Sequence, residues 1–416
     1  MDQEFTVPPY VANMTRVEGY HEIDEILRNN EDFLQGSHLE TRMFIGDSLL
    51  TLHGTTHAER RRMLAAVVSR ASLDTLEFDH LVPLMAQIMD ELRGQRGADG
   101  IVRADLITIT RTFLHRVSAI VTGVDHVDTK EATEKFRWYV ERLGEGLSAE
   151  WDTRSHDEVI RIGMGHRADF IRDYLGPSVE RRRKLIAQFK SGEIAREALP
   201  TDMFTLLLLN WDPSWDEDYL WREACLFLVG ATQTTTHIFP HMLVHLTEWF
   251  AEHPEELSKV SDPEFLRLAE NETLRLHQPA PTLVRIATRD LTLSTGREIK
   301  NGEHIALFFT PANRQTEIFG ADAKEFNPYR TTPHGIRHWG LTFGSGTHIC
   351  LGRPIVTGLA RGTKDAADPG TQGTIIRMID AMYKAGVELD PNDPPKRVSS
   401  SYFDAYEKMP IILRNL

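Results

Sequence analysis

Apolar residues recur at intervals of three and four over most of the chain, which is the spacing of one face of an α-helix. In HEIDEILRNN, for example, Ile23, Ile26 and Leu27 fall on one side. The same pattern predicts helices over 57–95, 103–123, 129–148, 155–175, 177–190, 214–250 and 262–277. Asp262 and Pro263 suit the N-cap and first position of the last helix, and Pro240 predicts a kink in the long one before it.

Alternating or continuous apolar runs typical of strands lie close together in the second half of the chain. They are TLVRIAT (282–288), LTLST (291–295) and HIALFFT (304–310), with turn residues between the last two. We therefore predict a mainly α fold with a minor β region, organised as a single domain over residues 1–416. Without a regular βαβ alternation, a doubly wound nucleotide-binding fold is excluded.

Composition narrows the class of protein. The 416 residues carry a net charge of −14, which argues against general nucleic-acid binding. Two cysteines make no disulfide framework and fit a reducing compartment. The start, MDQEFTVPPYVANM, lacks the pattern of a signal peptide, and runs such as FTLLLLN are far shorter than the ~18 residues of a membrane span. The sequence predicts a cytoplasmic protein that is not bound to a membrane.

The second cysteine, Cys350, lies in the glycine-spaced stretch FGSGTHICLG (343–352). Glycines permit tight backbone and the close approach of a bulky group, and a thiolate in such a loop suits axial ligation of iron. A buried, inert cysteine in a turn is the alternative for an isolated residue of this kind. A phosphate-binding loop is a weaker alternative, because the required strand–loop–helix context is absent.

Two further patterns carry little information alone. In ETLR, Glu272 and Arg275 are three residues apart, so on a helix they lie on one face and can form an ion pair. In GATQTT, small residues from Gly230 open a groove in the long helix, and the Thr234 hydroxyl can turn toward a ligand or water. Taken alone, ETLR is explained equally well by an ion pair on a solvated helix face, and GATQTT by small residues at a helix crossing.

Together, the three patterns resemble those of the cytochrome P450 family, the haem-thiolate monooxygenases, over nearly the whole chain. FGSGTHICLG matches the family's cysteine loop F-G-x-G-x-H-x-C-x-G at every fixed position. ETLR matches its E-x-x-R, GATQTT matches part of its helical threonine motif, and HAERR (57–61) matches its H-x-x-x-R. The stretch 312–330, ending in FNPYR, is similar to the family's segment before the cysteine loop.

The resemblance implies a role for each matching residue. Cys350 would be the axial ligand of haem b, in a loop shaped by Phe343, Gly344 and Gly352. The resemblance also implies four partners for the haem propionates, namely His348, His57, Arg61 and Arg285. It further implies a structural ion-pair group of Glu272, Arg275 and Arg330, and a catalytic pair of Thr234 and Gln233.

The sequence departs from the family in two places. The residue before the threonine is usually acidic, whereas here it is Gln233, which can orient water but cannot ionise. After the cysteine loop, the polar segment Gly362–Gly373 reads as an inserted loop.

The implied activity is insertion of one oxygen atom of O2 into a hydrophobic small molecule, by hydroxylation or O-dealkylation. Electrons would come from a ferredoxin or flavodoxin with its reductase, and the protein would act as a monomer. The alternatives are a peroxide-driven peroxygenase, a haem-thiolate enzyme of nitration or ring coupling, and a haem sensor without turnover. Predicted pocket residues lie in 42–50 and 281–283 and at Leu226, Val229, Gly230, Leu283, Ile411 and Ile412.

Overall fold

A computed structural model describes residues 7–216, 218–359 and 370–416. The α-helices in these ranges are α1 (Tyr20–Arg28), α2 (Arg42–Ile45), α3 (Gly54–Leu64), α4 (Arg70–Thr75), α5 (Val82–Arg93), α6 (Leu106–Thr122), α7 (Lys130–Leu147), α8 (His156–Gly165), α9 (Arg167–Phe170), α10 (Gly176–Ser191), α11 (Met203–Leu209), α12 (Asp218–Glu252), α13 (Pro263–Leu276), α14 (Phe309–Ala312), α15 (Thr316–Phe319), α16 (Arg353–Thr357) and α17 (Gly373–Lys384). The strands are β1 (Thr15–Val17), β2 (Phe33–Gln35), β3 (Val102–Asp105), β4 (Thr282–Ala287), β5 (Leu291–Thr292), β6 (Glu298–Ile299), β7 (His304–Phe308), β8 (Val387–Leu389), β9 (Lys396–Arg397), β10 (Tyr406–Lys408) and β11 (Pro410–Leu413). The predicted fold class, mainly α with a minor β region, is confirmed.

Several predicted helices are present with their ends moved by a few residues. The long stretch 214–250 forms α12, which contains Pro240 and continues to Glu252. The stretch 262–277 forms α13, whose N-cap Asp262 accepts a hydrogen bond from the backbone N–H of Glu264 at 3.0 Å. A local capping signal therefore fixes where this helix begins.

Two predicted helices are divided and a third begins late. The stretch 155–175 divides at His166, between α8 and α9. The stretch 57–95 divides into α3, α4 and α5, and extended backbone at Ser69 (ψ 156°) separates α3 and its following turn from α4. The stretch 103–123 begins as β3 and becomes helical only at Leu106. Because β3 pairs with β11, some 300 residues away, no local pattern could have indicated it.

The described chain falls into two compact units. The unit called here the C-terminal unit comprises the residues up to Ser37, Asp74–Thr110 and Thr234–Leu416. The other, the helical unit, comprises His38–Leu73 and Arg111–Gln233. All strands named above lie in the C-terminal unit.

A four-stranded sheet organises the C-terminal unit, in the order β1-β7-β4-β2. β4 and β7 are antiparallel, with Leu283 opposite Leu307, whereas β1 runs parallel to β7. Apolar side chains of α1 and of this sheet form one core cluster, which includes Ile23, Ile26 and Phe33. A second sheet, in the order β3-β11-β8, contains the end of the chain.

In the helical unit, α3 is fastened to the first turns of α12 by a buried ion pair. Arg60, 4% exposed, lies 3.5 Å from Glu223, which is fully buried. The guanidinium also lies 4.1 Å from the ring centroids of both Trp215 and Tyr219. Burial raises the pKa of Glu223 to about 7, and Arg60 opposes this shift. The pair holds α3 in a fixed orientation.

Among the described residues, no helix combines the length and the apolar composition that a membrane span needs. Of the predicted inserted loop Gly362–Gly373, residues 362–369 lie outside the described residues. On either side of that gap, Leu359 and Thr371 form an isolated antiparallel bridge before α17 begins.

Candidate active site

The cysteine loop Phe343–Gly352 presents its thiol outward. Cys350 is exposed, and its backbone N–H donates to the carbonyl of Phe343 at 2.9 Å, which closes the loop. Gly344 has φ 69°, a left-handed conformation that favours glycine. A Cβ at Gly352 would lie 3.8 Å from the Cys350 sulfur, so the glycine keeps one side of the sulfur open.

The base of the loop is anchored to the end of α1. Gly346 also has positive φ, and a Cβ there would come within 2.6 Å of the Leu27 carbonyl oxygen, so only glycine fits. The buried hydroxyl of Ser345 donates to the Asp24 carboxylate at 2.5 Å. His348 is half-buried in the 3-10 turn Gly346–His348. Contacts with the end of α1 therefore fix the loop in place, while the thiol of Cys350 remains accessible.

Three side chains around the loop were missed by the sequence analysis. Arg337 donates to the Gly344 carbonyl at 2.8 Å, and the Arg353 guanidinium stacks 5.1 Å from the centre of the Trp339 ring. Burial lowers the pKa of Arg353, Arg337 lowers it further, and Cys350 partly offsets this. Arg353 follows Cys350 by three residues and is the first residue of α16. The pairing of a cation with a cysteine three residues earlier is the signal that could have found it.

Arg285 is a buried cation on β4. It is 6% exposed, and its guanidinium donates to the Gln35 side chain and to the Val284 carbonyl. Among the described residues no carboxylate forms an ion pair with it, and burial lowers its pKa to about 10. At neutral pH the group is still charged. A buried charge of this kind is costly unless an anion accompanies it, so the site suits an anionic ligand.

Trp339 provides a second buried donor in the same unit. Its indole Nε1 is buried and finds no acceptor within the described parts of the chain. A buried indole N–H usually has a hydrogen-bond partner. Like the Arg285 guanidinium, this donor fits a ligand that carries carboxylates.

Glu272, Arg275 and Arg330 meet in one buried network. Arg275 is fully buried and donates from Nε and a terminal nitrogen to the two Glu272 carboxylate oxygens, both at 2.7 Å. Its other terminal nitrogen donates to the carbonyls of Asn313 and Ala323. Arg330 donates to Glu272 at 2.9 Å. The network joins α13 to the segment that leads into the cysteine loop.

In the middle of α12, one face is partly open among the residues that the structure describes. Leu226, Gly230 and Thr234 follow each other at four-residue steps, and Gly230 is exposed. A Cβ at Gly230 would meet no atom within 4 Å. Val229 and Thr235, by contrast, are 3% exposed and belong to the core side. Of the two adjacent threonines, Thr234 is the one that has access to the open face.

Gln233 is turned toward α7 of the helical unit. Its Oε1 accepts a hydrogen bond from the Ser148 hydroxyl at 3.2 Å. Its Nε2 lies so close to Gly144 that a Cβ at that position would overlap it. The side chain is half-buried, and its amide accepts from Ser148 and packs closely against Gly144. The catalytic role suggested for Gln233 remains a prediction.

His57 and Arg61 are one turn apart on α3 and share a face. His57 is 2% exposed and Arg61 is half-buried. Burial lowers the pKa of His57, and the charges of Arg61 and His53 lower it further. A neutral imidazole beside a guanidinium is a suitable donor set for a carboxylate.

Of the other predicted pocket residues, the segment 42–50 contains α2 of the helical unit, and Leu283, Ile411 and Ile412 lie in the sheets of the C-terminal unit. Leu283 on β4 is half-buried and belongs to the first core cluster. Ile411 is fully buried on β11, opposite Ala104 and Leu389. Ile412 is 5% exposed. Their contribution to a substrate pocket remains a prediction.

Known proteins provide an independent comparison. The family model described as Cytochrome P450 matches residues 3–357. Cytochrome P450(MEG) of Priestia megaterium is 26% identical over 299 residues, which is 72% of this chain and 65% of the relative. Linalool 8-monooxygenase of Pseudomonas putida is 32% identical over 163 residues, 38% of this chain and 37% of the relative. The matches thus span less than two thirds of either relative.

Solved structures support the same fold. The crystal structure of CYP109E1 from Bacillus megaterium in complex with testosterone superposes with a TM-score of 0.69. The match covers 96% of this chain and 93% of that one at 18% sequence identity.

Proposed function

The chain belongs to the cytochrome P450 family, and we propose that it is a haem-thiolate monooxygenase. It inserts one oxygen atom of O2 into a hydrophobic small molecule, by hydroxylation or O-dealkylation. A ferredoxin or flavodoxin with its reductase supplies the electrons, and residues 1–416 act as one functional domain. The observation that carries the proposal is the exposed thiol of Cys350 in a loop closed by its own N–H.

The residues present fit haem, the cofactor of the family. Haem carries two carboxylates. In the C-terminal unit the buried guanidinium of Arg285 forms no ion pair with a carboxylate of the described residues. The unit also has the buried N–H of Trp339, which finds no acceptor among those residues. Bound haem supplies the redox chemistry that activates dioxygen. Arg285, Trp339 and His348 are the groups that would hold its carboxylates.

The chain's own residues have three tasks in this mechanism. Cys350 would ligate the haem iron through Sγ, and Arg353, three residues further along the chain, brings a cation of the kind that stabilises a thiolate. Gly230 leaves room above the middle of α12, where an apolar substrate can exclude water. Thr234 would hold a proton-bearing water through Oγ1 on that face. The roles of His57 and Arg61 as further carboxylate partners belong to the same proposal.

A hydrophobic substrate agrees with the compounds named for similar proteins. One relative is a linalool 8-monooxygenase, and one protein of the same fold was crystallised with testosterone. Leu226 and Val229 add an apolar surface beside Gly230. The proposal extends to the class of small apolar molecules and to no single compound.

The thiolate is tested by the absorption of the reduced protein under carbon monoxide. We expect a band at about 450 nm, the signature of thiolate ligation in this family. Cys350→Ala should abolish the band. Cys225→Ala is the matched control, because Cys225 is 1% exposed inside α12, and it should keep the band. Loss of the band only in the control would refute the assignment.

A peroxygenase is the second candidate, and Gln233 favours it. The family usually has an ionisable residue here, whereas this amide cannot ionise and is held by Ser148. Turnover with hydrogen peroxide alone, compared with turnover on O2 with reduced ferredoxin, separates the two candidates. Compounds for both assays are chosen by the shift that they cause in the haem absorption spectrum.

A further inference from the structure

Three histidines and an aspartate from separate parts of the chain meet in the C-terminal unit. His241 and His245 lie one turn apart on α12, His277 directly follows α13, and Asp404 precedes β10. His241 is 2% exposed, and His277 is also largely buried. None of these residues belongs to the site described above.

The side-chain atoms of this cluster are close to one another. Asp404 Oδ2 lies 2.7 Å from His277 Nδ1, and Asp404 Oδ1 lies 3.6 Å from His241 Nε2. His241 Nε2 also lies 3.1 Å from the backbone carbonyl oxygen of Asp404, a hydrogen bond that metal binding would replace. One ligand atom from each of the three residues falls within 4.8 Å of the other two. His245 Nε2 lies 2.9 Å from His277 Nε2, on the far side of the His277 ring.

Two imidazole nitrogens and one carboxylate oxygen form a donor set that zinc commonly accepts. With metal–ligand distances of about 2.1 Å, the edge of a tetrahedral site is about 3.4 Å. The distance of 3.6 Å between His241 Nε2 and Asp404 Oδ1 is close to that edge length. The His277–Asp404 pair is closer than that, so ion binding must separate these two groups by several tenths of an ångström.

His245 has the position of a supporting residue for such an ion. A histidine that binds a metal through one ring nitrogen usually hydrogen-bonds through the other. With His277 bound through Nδ1, its Nε2–H would donate to His245 Nε2 at the observed 2.9 Å.

In this structure Arg397 provides the positive charge at the cluster. Its terminal nitrogen lies 2.6 Å from the Asp404 carboxylate and 3.4 Å from His241 Nε2. The side chain is one-third exposed, so it can turn toward solvent. The His241 and His277 rings are stacked with centroids 3.7 Å apart, so one ring must also rotate to share an ion.

We propose that His241, His277 and Asp404 bind a divalent transition-metal ion, zinc, in exchange for the Arg397 guanidinium. Three protein ligands leave a fourth position for water. The ion links α12, the residue after α13 and the segment before β10. Arg397 and the metal compete for one carboxylate, which makes affinity depend on a residue that is not a ligand.

The test is zinc binding to the haem-loaded protein, stripped with a chelator and freed of any polyhistidine tag. Competition against a chromophoric zinc chelator should show one saturable equivalent. His277→Ala and His241→Ala should each weaken binding by more than about 100-fold, and His245→Ala by about 10- to 100-fold. Arg397→Gln should strengthen binding by at least about tenfold, because a competing positive charge is removed.

The Arg397→Gln variant protects the test from misfolding, since its side chain is partly exposed and its predicted effect is a gain. His304→Ala is the matched control, because His304 is an exposed histidine on β7, and it should leave the affinity unchanged. The haem absorption spectrum reports whether each variant is folded. The proposal is overturned if the wild type binds no saturable equivalent, if folded His277→Ala binds as tightly as wild type, or if Arg397→Gln weakens binding.

Discussion

Two buried arginines of the C-terminal unit have opposite environments. Arg275 is fully buried, and all three of its nitrogens donate to Glu272 or to backbone carbonyls. Arg285 is 6% exposed, and among the described residues only an amide and a carbonyl accept from it. A buried charge that is matched within the chain makes the fold depend on its partners, whereas one that is not matched indicates a ligand that supplies the missing charge.

The largest effect should follow from breaking the matched network. Among the described residues, Arg275→Ala leaves the buried Glu272 with Arg330 and the Asn327 N–H as its partners. Removing one member of a buried ion pair typically costs about 3–5 kcal/mol. We expect the free energy of unfolding to fall by this amount in denaturant titrations, and little haem-loaded protein to be recovered.

Arg289→Ala is the control for this variant. Arg289 is 64% exposed and forms an ion pair with Asp32 at 2.7 Å. Exposed ion pairs contribute at most about 1 kcal/mol, so this variant should unfold almost like the wild type. Equal losses in the two variants would show that the Glu272 network has no special structural importance.

The unmatched arginine should behave differently. Arg285→Met removes a buried charge together with its two hydrogen bonds to Gln35 and Val284. These contributions oppose each other, so the haem-free protein should change in stability by no more than about 1 kcal/mol. Haem release should accelerate by at least about tenfold, because a charge-assisted hydrogen bond to a carboxylate is lost.

Transfer of haem to an excess of a haem-free globin measures the release rate. Arg285→Lys is the informative partner variant, since it keeps the charge but loses the fork of donors, and it should fall between Met and the wild type. A large loss of stability in the haem-free Arg285→Met protein, with normal haem release, would assign Arg285 to the fold and not to the ligand.

The sequence was informative where the signal is local. Helix periodicity placed α12, and Asp262 with Pro263 marked the start of α13. The cysteine motif located the loop because its glycines are required by backbone geometry, as the close approach of Gly346 to Leu27 shows. Family membership, which that motif indicated, is confirmed by the family comparison.

Features that depend on distant pairings escaped the sequence analysis. β3 was predicted as helix because its partner β11 lies at the other end of the chain. Arg353 and Trp339 were not singled out, because their contact is visible only after the loop folds. The direction of the Gln233 side chain was also unreadable, since it depends on how close Gly144 of α7 comes to α12.

The smallest effect is expected at Gln233, whose amide, like the Arg275 guanidinium, has a hydrogen-bond partner inside the chain, the Ser148 hydroxyl. Gln233→Glu keeps an oxygen acceptor for the Ser148 hydroxyl, so stability should change by no more than about 1 kcal/mol. With the side chain held toward α7, the share of electrons that reach product should also stay near the wild-type value. The measurement is the amount of product formed per reduced nicotinamide consumed.

Gly144→Ala is the comparison variant, since its new Cβ would overlap Gln233 Nε2 and force the amide to move. A change of coupling in Gln233→Glu at unchanged stability would place this residue with Arg285, among the groups that serve the ligand and not the fold.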